Sequence, residues 1–234
     1  MKLQLWFAAT IIAALGSFAS LTSAQTSATP PGAKPLINLE DRSTWRGGAT
    51  RDPREIAALQ GDELKIWNDK MKAGLDAHWR VEKTDSGLEI VSDGHEPFLS
   101  TDRDFGDFEL WIDWKINPDG DSGIYLRGCP QVQIWDPAKW PEGSGGLYNN
   151  EKNPKKPLVA ADNPIGQWNT FRIKLVGDRV TVHLNDKLVV DNVVLENYWE
   201  RGKPLYESGP IELQHHNSPL AFRAIYIREI EPAK

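Results

Sequence analysis

The chain has 234 residues, 40% of them hydrophobic and 26% charged, which predicts one domain or a small pair and excludes a disordered chain or a coiled coil. Lys plus Arg number 27 against 33 Asp plus Glu, so the formal net charge is -6 and the basic footprint of a nucleic-acid binder is absent. The one cysteine, Cys129, can form neither an intrachain disulfide nor a multi-thiolate zinc site, so the fold must rest on an apolar core.

In chain order, Lys2 precedes an apolar run over 3–21, and Thr22, Ser23 and Ala24 supply the small residues of a signal-peptidase site. A leader over 1–24, cut before Gln25, predicts an exported product, periplasmic or secreted, with no stable membrane insertion after cleavage. An uncleaved anchor is the alternative. Residues 25–35, with Pro30, Pro31, Gly32 and Pro35, read as a flexible lead-in to a domain over 36–234. Residues 36–45 suggest a short strand and a polar turn. Pro53 can open a helix, and Ile56, Leu59, Leu64, Trp67, Met71 and Leu75 recur at mostly helical intervals, so 53–77 is expected to hold one or two inserted helices, interrupted near Gly61.

Beyond Trp79 the pattern becomes short alternating segments between turn residues. Strands are expected at 87–91, 107–116, 122–127, 131–135, 168–176, 179–184, 187–193, 210–214 and 222–230, with tight turns at Gly177-Asp178 and Asn185-Asp186. Many short strands with close turns predict an all-β sandwich. The irregular stretch 137–166 exceeds ordinary loop length and is read as a functional loop or a mobile excursion.

Successive strand side chains point to opposite sides, so parity sorts each segment into two faces. The non-core set is Trp111 and Asp113 with Glu109 and Lys115, then Gly123, Tyr125 and Arg127, then Gln131, Gln133 and Trp135, and finally Glu212, Gln214 and His216. Aromatic rings interleaved with planar amide and guanidinium groups suit a sugar, whose C–H faces stack on rings and whose hydroxyls both donate and accept. The alternative is a solvated face with scattered aromatics.

The runs Phe105-Gly106-Asp107-Phe108-Glu109-Leu110, Asp121-Ser122-Gly123-Ile124-Tyr125-Leu126-Arg127 and Gln131-Val132-Gln133-Ile134-Trp135-Asp136 resemble the 3-keto-disaccharide hydrolase family, also known as domain of unknown function 1080. Gly145-Gly146-Leu147-Tyr148, Trp168-Asn169-Thr170-Phe171-Arg172, the Leu184-Asn185 turn and the segment from Gly209 to His216 extend the resemblance over about 36–230. It implies a concanavalin A-like jelly roll of two antiparallel sheets whose concave face holds the sugar. It also implies cleavage of glycosides already oxidised to a ketone at C3. The chain departs from the family pattern at Gln131, where members often carry Glu, and at His215.

A C3 ketone acidifies the hydrogen on C2, so a base can form an enolate that expels the C1 substituent before water adds. Such a site needs a base near C2, donors at the enolate oxygen and an acid for the leaving group. Asp113 and then His216 are the candidate bases, and Arg127 is the candidate enolate stabiliser. Each has a structural alternative: an ion pair of Asp113 with Lys115 or Arg127, a hydrogen-bonded sheet histidine, a carboxylate-clamping arginine. Trp111, Tyr125, Gln131, Gln133, Trp135, Tyr148 and Gln214 are the candidate substrate-binding residues, with Tyr148 also able to serve as an acid. No cofactor or metal is expected, although bound calcium is compatible with a jelly roll, and His78, His95 and His183 receive no catalytic role. The expected partner is a 3-keto-glycoside. The competing reading is a non-catalytic carbohydrate-binding module, and a weaker one is a conventional glycoside hydrolase.

Overall fold

Alternation of buried and exposed positions builds the fold strand by strand. The computed structural model describes residues 29–38, 44–85 and 87–231. The expected leader over 1–24, residues 25–28 of the lead-in, and 39–43 within the expected first strand and turn lie outside the described residues. The chain runs through β1 (Lys34–Pro35), β2 (Trp45–Gly48), α1 (Pro53–Ala57), α2 (Gly61–His78), β3 (Trp79–Thr84), β4 (Gly87–Ser92), β5 (Phe98–Thr101), β6 (Phe108–Ile116), β7 (Asp121–Leu126) and β8 (Cys129–Trp135). It continues through β9 (Asn169–Val176), β10 (Arg179–Leu184), β11 (Lys187–Val194), β12 (Glu212–His215) and β13 (Leu220–Glu229).

The strands form two antiparallel sheets. The larger has the order β11-β10-β9-β6-β13-β4-β3, with β1 pairing on β13; the smaller, five-stranded sheet has the order β2-β5-β12-β7-β8. β9 alternates strictly, burying Asn169, Phe171, Ile173 and Leu175 and exposing the residues between them. Across the interface, Ile124, Leu126, Val132, Ile134 and Leu213 come from the smaller sheet to meet Leu110, Ile112, Phe171 and Val182 from the larger. Removing each of these aliphatic or aromatic side chains from water stabilises the sandwich by about 1.5–3 kcal/mol. This is a jelly-roll sandwich with a two-helix insertion.

Tight turns fix the registers. Asn185 and Asp186 both take positive φ, 49° and 64°, between the paired residues Leu184 and Lys187, the geometry that matches the twist of a two-residue hairpin. Arg127 and Gly128, φ 56° and 68°, do the same between Leu126 and Cys129. Stretch 137–166 lies along the outer edge of β8: Gln133 N–H donates to Gly146 O at 2.9 Å and Gly145 N–H to Gln133 O at 2.8 Å. The long loop thereby covers an edge that would otherwise present unpaired backbone groups.

Candidate functional site

On the five-stranded sheet, the side chains that point away from the core cluster come from alternate positions of three neighbouring strands. β7 offers Asp121, Gly123 and Tyr125; β8 offers Gln131, Gln133 and Trp135; β12 and the residue after it offer Gln214 and His216. All of these except Gly123, together with Thr50, Trp140, Tyr148, Asn149 and Tyr198 from loops, line a hollow of about 250 Å³. Tyr125, Gln131, Gln133, Trp135, Tyr148, Gln214 and His216, seven residues singled out from the sequence, meet here.

A hydrogen-bonded chain crosses the floor. His216 Nδ1 lies 3.0 Å from Asp121 Oδ2, while Asp121 Oδ1 accepts from Gln133 Nε2 at 2.7 Å. Gln133 Nε2 also donates to Ser122 O at 2.9 Å, and Gln133 Oε1 accepts from Gln131 Nε2. Gly123 makes room for this chain, since a Cβ there would stand 2.7 Å from Gln131 Cδ. Asp121 is 25% exposed and His216 61%, so the imidazole is anchored at its inner nitrogen and open to solvent elsewhere.

The aromatic wall is ordered from behind. Trp135 stacks on Trp140 with centroids 5.2 Å apart and an interplanar angle of 11°, and meets Tyr148 edge-on at 5.3 Å. Its indole Nε1 donates to Gly143 O at 2.6 Å, which leaves the ring as an apolar platform. Tyr148 is half exposed at the rim. Tyr125 is buried, with Thr50 Oγ1 at 3.4 Å and Gln214 Nε2 at 3.5 Å from its hydroxyl; desolvation pushes its pKa well above the ordinary tyrosine value, so it keeps its proton. Gln214 Oε1 is buried without a hydrogen-bond partner, an acceptor free for a ligand hydroxyl.

Three expected members of the site stand elsewhere. Asp113 does leave the core side of its strand, but that strand is β6, in the other sheet. There it accepts from Thr170 Oγ1 at 2.6 Å and pairs with Arg223 Nε at 3.2 Å, both ionic partners being almost fully buried. Trp111 shares that face, between the guanidinium groups of Arg172 and Arg228 at 5.8 and 5.4 Å. Parity separates the two sides of a strand without telling which sheet the strand joins, and this is why both were misplaced.

Arg127 fails for a different reason. β7 ends at Leu126, its register shifts after Ile124, and the positive φ of Arg127 swings the side chain out of the alternation. Its guanidinium is buried in an ion pair with Asp107 at 2.6 Å and donates to Gly106 O, Gly177 O and Tyr206 O. It is a carboxylate-clamping arginine, the structural alternative to an enolate stabiliser.

Asp121 was missed because the strand was started at Ser122; its parity with Gly123 and Tyr125 was the available signal. The loop residues Thr50, Trp140 and Tyr198 carried none. A separate group, His78, Asp93 and His95, has one potential metal-ligand atom from each residue within 4.8 Å of the others, and is the set among the described residues suited to hold a metal ion. Larger hollows lie elsewhere among the described residues. One, of about 810 Å³ between the two helices and β2, has a mixed lining that includes Trp45, Trp67, Met71, Asp69 and Lys72; another, of about 400 Å³, contains Glu212 and Arg46. Neither combines a histidine–carboxylate pair with a stacked aromatic platform.

The fold and this geometry can be set beside known proteins. Solved structures of two Parabacteroides distasonis proteins, both named as candidate glycosyl hydrolases, superimpose with TM-scores of 0.58 and 0.59 at 22% and 19% identity. The first match covers 85% of this chain and 99% of the other, the second 86% and 94%. A Bacteroides thetaiotaomicron protein named 3-keto-disaccharide hydrolase is 23% identical over 176 residues, 62% of this chain. The match spans 60% of that relative's length. The profile of the 3-keto-alpha-glucoside-1,2-lyase-like domain matches residues 32–228. With that span, the chain belongs to the 3-keto-alpha-glucoside-1,2-lyase-like domain family.

Proposed function

We propose that the protein is an exported enzyme that cleaves glycosides carrying a ketone at C3, by removal of the C2 proton, loss of the C1 substituent and addition of water. The observation that carries this reading is the His216–Asp121 pair at the edge of an aromatic-walled hollow. Asp121 bonds the Nδ1 side of the ring, so Nε2 is the nitrogen left to take a proton, the arrangement that makes a histidine a positioned base. In the step, the C2–H electrons become the C2=C3 bond of the enolate and the proton passes to His216. Re-forming the C3 ketone moves the enolate pair into a C1=C2 bond and expels the C1–O pair, whose oxygen takes the proton held by His216; water then adds across C1=C2, its oxygen to C1 and a proton to C2.

Arg127 has no part in this mechanism, and the buried, protonated Tyr125 hydroxyl replaces it as donor to the developing oxyanion. Trp135 and Tyr148 stack on the ring, and Gln131 and Gln214 bond hydroxyls. Among the described residues lining the hollow, Asp121 is the one carboxylate, whereas a retaining or inverting glycosidase of the usual kind needs two flanking the bond.

The test is to incubate purified protein with an aryl 3-keto-glucoside and, in parallel, the unoxidised glucoside, while following aglycone release. Release from the keto sugar alone is expected. A folded protein that leaves several keto-glycosides intact contradicts the reading. The amide at Gln131 favours a second reading, a carbohydrate-binding module, which calorimetry would reveal as saturable binding of plain glycans without product.

A further inference from the structure

We propose that His78, Asp93 and His95 form a binding site for one divalent transition-metal ion of the zinc or cobalt class, separate from the sugar hollow and independent of its function. His78 is the last residue of α2, and Asp93 and His95 lie in the turn between β4 and β5. Asp93 sits between the imidazoles: its Oδ2 is 3.0 Å from His78 Nδ1 and its Oδ1 is 3.1 Å from His95 Nδ1. The rings are 5.2 Å apart and inclined by 30°. Donors held about 2.0–2.1 Å from a tetrahedral ion are about 3.3 Å from one another, and each imidazole Nδ1 already stands near that separation from one Asp93 oxygen, His78 from Oδ2 and His95 from Oδ1. The three ligand atoms lie within 4.8 Å of one another, and the His95 side chain, 70% exposed, has room to turn towards a shared ion.

The supporting turn is fixed. Asp93 N–H donates to His78 O at 3.2 Å, and Gly94 N–H to Ser92 Oγ at 3.1 Å. Gly94 has φ +93°, and a Cβ there would stand 2.7 Å from Ser218 N, so the residue between two of the ligands is pinned against the chain after β12. Trp79 Nε1 donates to Pro97 O at 2.7 Å and closes the far side.

The place of the cluster in the fold favours a cation here. The site abuts the C-terminus of an 18-residue helix, the negative end of its macrodipole. His215, 5% exposed, packs edge-on against Phe98 at 5.3 Å and lies beside the Gly94 backbone, so the turn that carries Asp93 and His95 rests on a buried imidazole. Two imidazole nitrogens and one carboxylate select zinc, cobalt or nickel over calcium and magnesium, which prefer all-oxygen shells. Water would complete the shell, and the imidazoles would release protons as the ion enters.

The experiment is titration of chelator-treated full-length protein with Co²⁺, read by its visible d–d bands, followed by displacement with Zn²⁺. The expected result is one Co²⁺ per chain, displaced by one Zn²⁺. His78→Gln and His95→Gln should each weaken binding at least about 10–100-fold, the loss produced even by removing outer-shell partners. His183→Gln and His216→Gln should leave binding unchanged, with circular dichroism verifying the fold of each variant. Absence of saturable Co²⁺ binding to folded wild type overturns the proposal. So does binding that survives in both ligand variants, or that disappears with His216→Gln and thereby moves the ion to the sugar hollow.

Discussion

Asp121 and Asp113 are both strand aspartates with a cationic or cationisable partner, yet their surroundings assign them different work. Asp113 is sealed against Arg223, so Asp113→Ala leaves a buried guanidinium unpaired and should cost about 3–5 kcal/mol in urea denaturation, with turnover per folded molecule retained. Asp121→Asn reverses the pattern, weakening the hold on His216 and lowering kcat by about 10²-fold or more while stability changes little. Gly123→Ala would push its methyl into the Gln131 carboxamide and is expected to lower kcat/KM on the order of 10²-fold without unfolding the chain, as measured by steady-state kinetics beside circular dichroism. Glu212 carries a strong pH signature: burial pushes its carboxyl up to about 8, against weaker opposition from Ser100 and Arg46. The folded state therefore keeps a proton that the unfolded chain has released, so stability falls as pH rises from about 4.5 to 8. Glu212→Gln should remove that decline, on the order of 1–3 kcal/mol between pH 5 and 8 by urea midpoint.

Among the elements, long loop 137–166 does more than connect. It seals the edge of β8 and delivers Trp140 and Tyr148 to the hollow, so the proposed sugar binding is expected to couple to the order of this loop. Trp140→Ala removes the stacking partner of Trp135 and is expected to weaken glycan or substrate binding about tenfold by calorimetry, equal affinity contradicting the coupling. The strands β9 and β10 were legible because strict alternation over 169–176 and 180–184 leaves one register with an apolar inner face. β3 and β5 were not read. β3 mixes Arg80, Glu82 and Lys83 with half-buried partners, and β5 is buried at all four positions, so neither shows a period of two. The helices over 53–78 were legible from Pro53 and the spacing of apolar residues, although Met71 alone in α2 is buried.

At the scale of the whole molecule, the two sheets divide the labour. The larger sheet's outer face is a structural layer in which Glu109 joins Arg172 and Arg228, Asp113 joins Arg223, and Trp111 and Trp168 lie under cationic side chains. The smaller sheet carries the hollow. Sequence parity identified polar and aromatic faces correctly on both, and only the pairing order decides which face holds a cavity; that order is a long-range property invisible in any one strand. Arg127 shows the other limit, because a two-residue turn reverses a side chain that alternation would place in the site. The central claim is that proton abstraction occurs at His216 in this hollow, and exchange at C2 reads it without requiring turnover. A 3-keto-glucoside deuterated at C2 should lose its label to solvent faster with wild type and Asp113→Asn than in protein-free buffer, and at the buffer rate with His216→Gln. Undiminished exchange in folded His216→Gln, or loss of exchange in folded Asp113→Asn, would contradict it.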